Sequence, residues 1–401
     1  MHLILIADTF PPQRTSGAVQ LRDLTREFIR QGHFVSVILP TSSQIENWSL
    51  ENFGGAQVLR LKAPRFKDVG KIRRALAEIS MPYHMYKNFK QSPFASMNWD
   101  AVLWYSPSIL HGPFVYAIKR NRSLVSYLII RDIFPEWAVD VGLMKRGLIY
   151  MFFKVIAEFQ YSLADVIGVQ TPGNLKYFSK WLKRPGRKLE VLQNWLDEPA
   201  KVRSSVQLNN SELAGRRIFV YAGNMGIAQG LEVVIDLAKR FIKRNDIGFL
   251  FVGRGSSTVR LMDLAFTNKL INVLFVDEID PDEIPDLYSQ CIAGMVILDP
   301  KHKSHNIPGK FVTYMQNGLP VLAIINEGND LANIIRTQMV GQVCETRSID
   351  EIEKLTENLL EQIERDKFLS TRCVSLFNSE FSVQGAVKQI VNALSVQIGN
   401  K

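Results

Sequence analysis

Cysteine is scarce: Cys291, Cys344 and Cys373 are the only three in 401 residues, and no pair stands at CxxC spacing. That excludes a disulfide scaffold and a cysteine zinc site, and it fits a reducing compartment. The six histidines are scattered, with none at metal-ligand spacing. Long apolar runs are missing as well. A membrane span needs about 18–20 apolar residues; "GLIYMFFKVIAEF" comes nearest, and Lys154 and Glu158 break it. The opening "HLILIAD" is too short for a signal-peptide core, has no basic lead and ends in Asp8. A convincing acidic metal motif is also lacking. The DxD spacing in "DPDE", 280–283, reads as a helix start, with Asp280 as N-cap and Pro281 in the first turn. These absences lead us to expect a metal-free protein that is cytoplasmic or peripheral to a membrane.

Positive charge is present in excess but unevenly. Residues 1–200 hold 26 Lys+Arg against 16 Asp+Glu, or +10; residues 201–401 hold 22 against 23, or −1, which together give the net +9. Residues 60–94 carry nine Lys/Arg and two acids, interleaved with aromatics, and "KRGLIYMFFK" at 145–154 mixes bases with bulky apolar groups. Such stretches suit an anionic membrane surface, with a plain solvated face as the bland alternative. No recognised nucleic-acid motif accompanies the charge, so nucleic acid is not an expected partner.

The chain alternates between strand-like and helix-like segments. "LILIAD", "FVSVILP", "AQVLRLK", "AVLWYS", "SYLII" and "VIGVQT" read as strands, and a helix is expected at about 18–31. Residues 198–216 are polar and read as a linker. The alternation then restarts with "RIFVYAG", "GFLFVG", "NVLFVD", "AGMVIL" and "PVLAII", separated by helices expected at 230–243, 256–269, 281–290 and 309–317. Alternation of this kind implies parallel sheets covered on both faces, here in two doubly wound domains. Ligands of such sheets bind beyond the carboxyl ends of the strands.

Several strand ends carry residues suited to phosphate. "GNMGIAQG", 223–230, follows a strand and precedes a helix, so Gly223 and Gly226 permit a turn whose N–H groups face an anion. "FVGRGSS" places Arg254 between glycines, as either a diphosphate clamp or a surface arginine. In "HNIPGKFVTYMQNGLPV", Lys310 lies just inside a helix start after Pro308 and Gly309. In the first half, "PPQRTSGA" sets Ser16 and Gly17 before a helix N-terminus. "IIRDIFPE" puts Asp132 at a strand end, where a carboxylate either acts as a base, orients a sugar hydroxyl or caps the next helix.

Taken together, these segments resemble a known family. "FPPQRTSGA", "RDIFPE", "YAGNMGIAQGLE", "FVGRG", "NVLFVD" and "PGKFVTYMQNGLPV" are similar, in order and spacing, to the retaining GT-B glycosyltransferases of family 4. Within that family they most resemble the bacterial surface-polysaccharide subgroup of N-acetylfucosaminyl- and colanic-acid-type transferases. The resemblance covers nearly the whole chain. It implies a GT-B α/β fold of two Rossmann-like domains facing an interdomain cleft. Residues 1–197 would bind the acceptor, with a C-terminal helix at about 380–401 packing back on them, and 217–379 would bind the nucleotide-sugar.

The resemblance further implies a UDP-sugar donor, a polyprenyl-diphosphate-linked sugar acceptor, no metal or other cofactor, and work at the cytoplasmic face of the inner membrane. The activity implied is transfer of an N-acetylated amino sugar in O-antigen, lipopolysaccharide or capsule biosynthesis. The donor residues implied are Ser16, Gly17, Gly223, Asn224, Gly226, Gln229, Arg254, Val276, His305, Pro308, Gly309, Lys310 and Thr313, with Asp132 in the catalytic region. The sequence departs from the family at three places. Asn224 and Gln229 stand where the family has Arg and Lys, His305 and Thr313 stand where it has the two glutamates of its E-x7-E motif, and Asp132 is near where many members have a histidine. A GT-B UDP-sugar epimerase and a non-catalytic nucleotide-sugar-binding partner are the alternatives.

Overall fold

A computed structural model describes the chain except for residues 14, 66–69, 107, 121, 141, 200, 227–228, 300–305 and 400–401, and except for the side chains of Lys71, Ile72 and Arg74. The chain forms two units, Met1–Asp197 with Val383–Lys401, and Glu198–Ser382.

The strands of the first unit are β1 (His2–Ile6), β2 (Phe34–Thr41), β3 (Trp48–Phe53), β4 (Ala56–Lys62), β5 (Ala101–Ser106), β6 (Val125–Ile130), β7 (Val166–Val169) and β8 (Lys188–Val191). Its helices before the second unit are α1 (Ser16–Arg30), α2 (Lys71–Phe89), α3 (Gly112–Lys119), α4 (Glu136–Asp140), α5 (Leu148–Ser162) and α6 (Ser179–Leu182). The sheet order is β3-β4-β2-β1-β5-β6-β7-β8. Only the β3–β4 pair is antiparallel. Strands β5 and β6 are buried along their whole length, as expected when helices cover both faces and the strand reads as an unbroken apolar run.

Strand alternation sorts that core into two layers. Ile4, Ile6, Val102 and Trp104 pack with Met81 and Met85 of α2, Phe114 of α3 and Ala157 of α5. Leu3, Leu5, Leu103 and Tyr105 face the other way, onto Leu21 and Leu24 of α1. Val383, Val387, Ile390 and Leu394, spaced as one helical face, join that second layer.

The second unit has β9 (Arg217–Ala222), β10 (Ile247–Val252), β11 (Val273–Val276), β12 (Ala293–Ile297), β13 (Val321–Ile324) and β14 (Gly341–Cys344). Its helices are α7 (Glu232–Arg240), α8 (Thr258–Thr267), α9 (Ile284–Ser289), α10 (Gly309–Gln316), α11 (Asp330–Gln338), α12 (Ile349–Arg365) and α13 (Leu369–Leu376); α14 (Val383–Gly399) returns to the first unit. The sheet order β11-β10-β9-β12-β13-β14 is parallel throughout.

Three expectations change. The helix expected at 18–31 begins earlier, at Ser16, because the Thr15 hydroxyl accepts the Ala18 N–H and caps it. Residues 198–216 are no free tether. Leu208 and Leu213 are buried, and the Ser204 and Leu208 N–H groups bond Asp286 and Gln290, so the segment belongs to the second unit. The helix expected at 281–290 is a 3-10 turn, Pro281–Glu283, followed by the short α9. Asp280 caps that turn by accepting the Asp282 N–H at 3.0 Å, which accounts for the DxD spacing.

Candidate functional site

Each sheet has one point where the strand order reverses, and loops leaving it part to either side and open a crevice. In the second unit this is the β9/β12 boundary. The turn after β9 holds Gly223, Asn224, Gly226 and Gln229. The loop after β12 leads to Pro308, Gly309 and Lys310 at the start of α10. Gly223 and Lys310, 87 residues apart in sequence, therefore meet.

Gly223 has φ +136, a conformation favouring glycine. Gly226 is closely approached: a Cβ there would lie 3.0 Å from Asn224 Nδ2 and from Gln229 Oε1. The Gln229 side chain closes the turn by accepting the Gly226 N–H at 3.1 Å. Beneath, the buried Tyr221 donates its hydroxyl to the Asn224 carbonyl at 2.8 Å.

Lys310 is the charge in this turn. Its ammonium sits 4.7 Å from the centre of the Tyr221 ring, and its Cε is 3.8 Å from where a Gly223 Cβ would be. No carboxylate among the described residues pairs with it. Burial lowers its pKa to about 8. It also occupies the first turn of α10, where the helix dipole disfavours a cation. Desolvation, lack of a carboxylate partner among the described residues and the wrong helix end work against the charge, and one bound anion would relieve all three.

A pH dependence follows. In the free protein Lys310 loses its proton as pH rises through about 8, whereas a bound polyanion would hold that proton on. UDP affinity is therefore expected to be flat below pH 8 and to fall by up to about tenfold per unit above it. Calorimetry at pH 7, 8 and 9 checks this; equal affinity at all three would contradict it.

Other expected residues sit differently. The Arg254 side chain is 82% exposed and ion-paired with Glu278 at 2.8 Å. Its flanking glycines serve the turn instead: a Cβ on Gly253 would be 2.3 Å from the Gly223 carbonyl oxygen, and one on Gly255 2.3 Å from Met225. Backbone bonds from Gly223 N–H to Val252 and from Met225 N–H to Arg254 lock the two turns together. Val276 ends β11, and its carbonyl accepts the Gly253 N–H. The Thr313 hydroxyl is turned onto the Gly309 carbonyl, 3.1 Å away. His305 lies outside the described residues. Arg347 was not legible in the sequence. Its guanidinium donates to the carbonyls of Gly230, at 2.7 Å, and Leu298, at 3.4 Å, tying the two crevice loops to each other.

The first unit reverses order at β1/β5. Ser16 is exposed at the start of α1. A Cβ on Gly17 would crowd Thr9 at 3.1 Å and Tyr105 at 3.4 Å, so this glycine lets α1 approach β5. Asp132 is exposed two residues beyond β6, and its charge acts on Tyr105 and Arg131. Arg131 itself is buried, donating to the Leu192 carbonyl and lying over the Trp195 ring. Burial lowers its pKa to about 10. Asp8 follows β1 and His111 precedes α3, so both flank this reversal. His111 is buried with neither ring nitrogen hydrogen-bonded, and Asp8 Oδ1 is likewise without a partner. Burial lowers the imidazole pKa and the Asp8 charge opposes that shift. Unsatisfied buried polar atoms at a strand-order reversal mark a second place able to take a polar group.

Residues 207–371, which span the glycine turn and Lys310, match the family model described as glycosyl transferases group 1. WbjE of Pseudomonas aeruginosa, described as a probable glycosyltransferase, is 25% identical over 281 residues, covering 64% of this chain and 69% of its own. WcaI of Escherichia coli strain K12, named for a glycosyl transferase of colanic acid biosynthesis, is 22% identical over 383 residues, 86% of each. The solved sucrose-phosphate synthase from Thermosynechococcus elongatus aligns with TM-score 0.75 at 14% identity over 100% of both chains. The chain thus has the GT-B fold of two parallel-sheet domains, and its second unit matches the glycosyl transferases group 1 family.

Proposed function

We propose that this chain is a retaining glycosyltransferase moving a sugar, an N-acetylated amino sugar in our reading, from a UDP-sugar to a polyprenyl-diphosphate-linked sugar. The place of this reaction is O-antigen, lipopolysaccharide or capsule biosynthesis at the cytoplasmic face of the inner membrane. The observation that carries the reading is the half-buried Lys310, its ammonium over the Tyr221 ring and without a carboxylate partner among the described residues, at the strand-order reversal of the unit that matches the glycosyltransferase family. The name of WbjE supports a glycosyltransferase and that of WcaI, which refers to colanic acid biosynthesis, supports the polysaccharide setting.

In this reading Lys310 and the N-terminal N–H groups of α10 hold the diphosphate. They stabilise the charge that grows on it as the bond to the sugar breaks. Ser16, Gly17 and Asp132 belong to the acceptor-binding unit, where Asp132 orients a sugar hydroxyl. Because Lys310 and the helix supply the positive charge, we expect activity to survive EDTA and dialysis. A strict requirement for Mn or Mg, restored by titration, would contradict that. Retention is tested by NMR of the product: the transferred sugar should keep the anomeric configuration it had in the donor, and inversion would refute the mechanism.

A further inference from the structure

We propose that the outward faces of α2, α3 and α5 form a docking surface that seats the first unit on an anionic bilayer, with apolar side chains in the headgroup region. This deepens the reading of a lipid-linked acceptor and rests on it for the membrane as partner, while the argument from the helices makes no use of the donor site. The three helices lie on the same face of the sheet, since Met81, Phe114 and Ala157 enter one core layer. Their other faces therefore point away from the core together.

Those faces are not polar. On α5, Ile149, Phe152, Val155 and Phe159 are exposed, and Leu148 at its start is 91% exposed. On α2, Leu76, Ile79 and Tyr83 are exposed at three- and four-residue spacing, and Tyr116 is exposed on α3. A helix that buries Ala157 and Tyr161 on one side and shows Ile149 and Val155 on the other lacks the polar outer stripe of an ordinary surface helix. Apolar exposure repeated along one helix face in this way marks an interaction site. Helix α5 has 15 residues, about 22 Å at 1.5 Å per residue, and among the described residues no helix is long and apolar enough to cross a membrane. The geometry is that of a helix lying on a bilayer.

Charge selects the occupant. Across 71–90, 112–120 and 145–162, the exposed bases among the described residues are Arg73, Lys87, Lys90, Arg120, Lys145 and Arg146, against one exposed acid, Glu158. Lys154 is paired with Glu136. A second copy docked by two-fold symmetry would bring bases against bases. An anionic lipid surface satisfies the bases and the apolar stripe together.

The test is co-sedimentation of the full chain with phosphatidylcholine vesicles, with and without phosphatidylglycerol, at low and high salt, with UDP affinity measured in parallel. Wild type is expected to bind the anionic vesicles, more weakly at high salt. Ile149→Glu/Val155→Glu should lower partitioning at least about tenfold and leave UDP affinity unchanged. The milder Ile149→Ser/Val155→Ser pair should give a smaller loss, which separates lost contact from misfolding. Absence of binding to anionic vesicles, equal binding to neutral ones, or indifference to both pairs of substitutions would overturn the proposal. So would a dimer that these substitutions dissociate. Vesicle binding without UDP binding would sink the donor reading and leave this surface standing.

Discussion

Lys310→Ala is expected to weaken UDP binding by about 10- to 150-fold, the equivalent of one charge-assisted contact worth about 1.5–3 kcal/mol. The lysine is the charge at the turn, with its ammonium against Tyr221 and its stem against Gly223. Thermal stability should not fall with it. Removing a partly desolvated cation, which has no carboxylate partner among the described residues, from a helix N-terminus relieves desolvation and an unfavourable dipole, so Lys310→Met should melt at or above the wild-type temperature. Loss of ligand affinity without loss of stability distinguishes a binding residue from a structural one. Arg254→Ala is the contrast. Its guanidinium is exposed and already paired with Glu278, so the expected change in UDP affinity is less than about threefold. Calorimetry on the three variants decides the matter; an unchanged affinity in Lys310→Ala would remove the lysine from the site.

Gly253→Ala is expected to destabilise the second unit by about 2–6 kcal/mol and to abolish UDP binding. Two costs add. The residue has φ +131, which strains an L side chain by about 1–3 kcal/mol. The new methyl would also lie 2.3 Å from the Gly223 carbonyl oxygen, and overpacking of that kind costs about 1–3 kcal/mol. Neither partner can step aside easily. The Gly253 N–H is bonded to the Val276 carbonyl at 3.0 Å and the Gly223 N–H to the Val252 carbonyl at 2.9 Å. The turn that holds Lys310 must therefore shift. Gly147→Ala is the control, because a Cβ there meets nothing within 4 Å. Urea denaturation of both variants gives the comparison, and similar midpoints would show that the two turns are not locked as described.

The central strands were legible because burial on both faces leaves an unbroken apolar run, as in "IFVYA" of β9. Of the edge strands, β11 was legible as "NVLFVD" and the other three were not. β3, β8 and β14 are partly solvent-exposed, so "WSLENF", "KLEV" and "GQVC" read like loop. Residues 198–216 looked like a tether because two leucines, Leu208 and Leu213, anchor an otherwise polar segment. At the site, the glycine turn was legible and Lys310 stood out as a cation at a helix start. Their meeting depends on β9 lying beside β12, which no local pattern states. Arg254 looked apt by its neighbours in sequence, yet those glycines serve the packing of one turn on another while the arginine points outward. Arg347 and the Asp8–His111 neighbourhood depend on burial and on long-range bonds, so residue type alone gave no sign of them.

Mass spectrometry of a polyprenyl-diphosphate-sugar acceptor incubated with a panel of UDP-sugars tests the central claim most directly. We predict that one UDP-sugar adds a single sugar residue to the acceptor and releases UDP, and that Lys310→Ala slows this at least about tenfold. A C2 epimer of the donor formed without acceptor would contradict the account in favour of an epimerase. Tight UDP binding with no transfer to any acceptor would contradict it in favour of a non-catalytic binding partner.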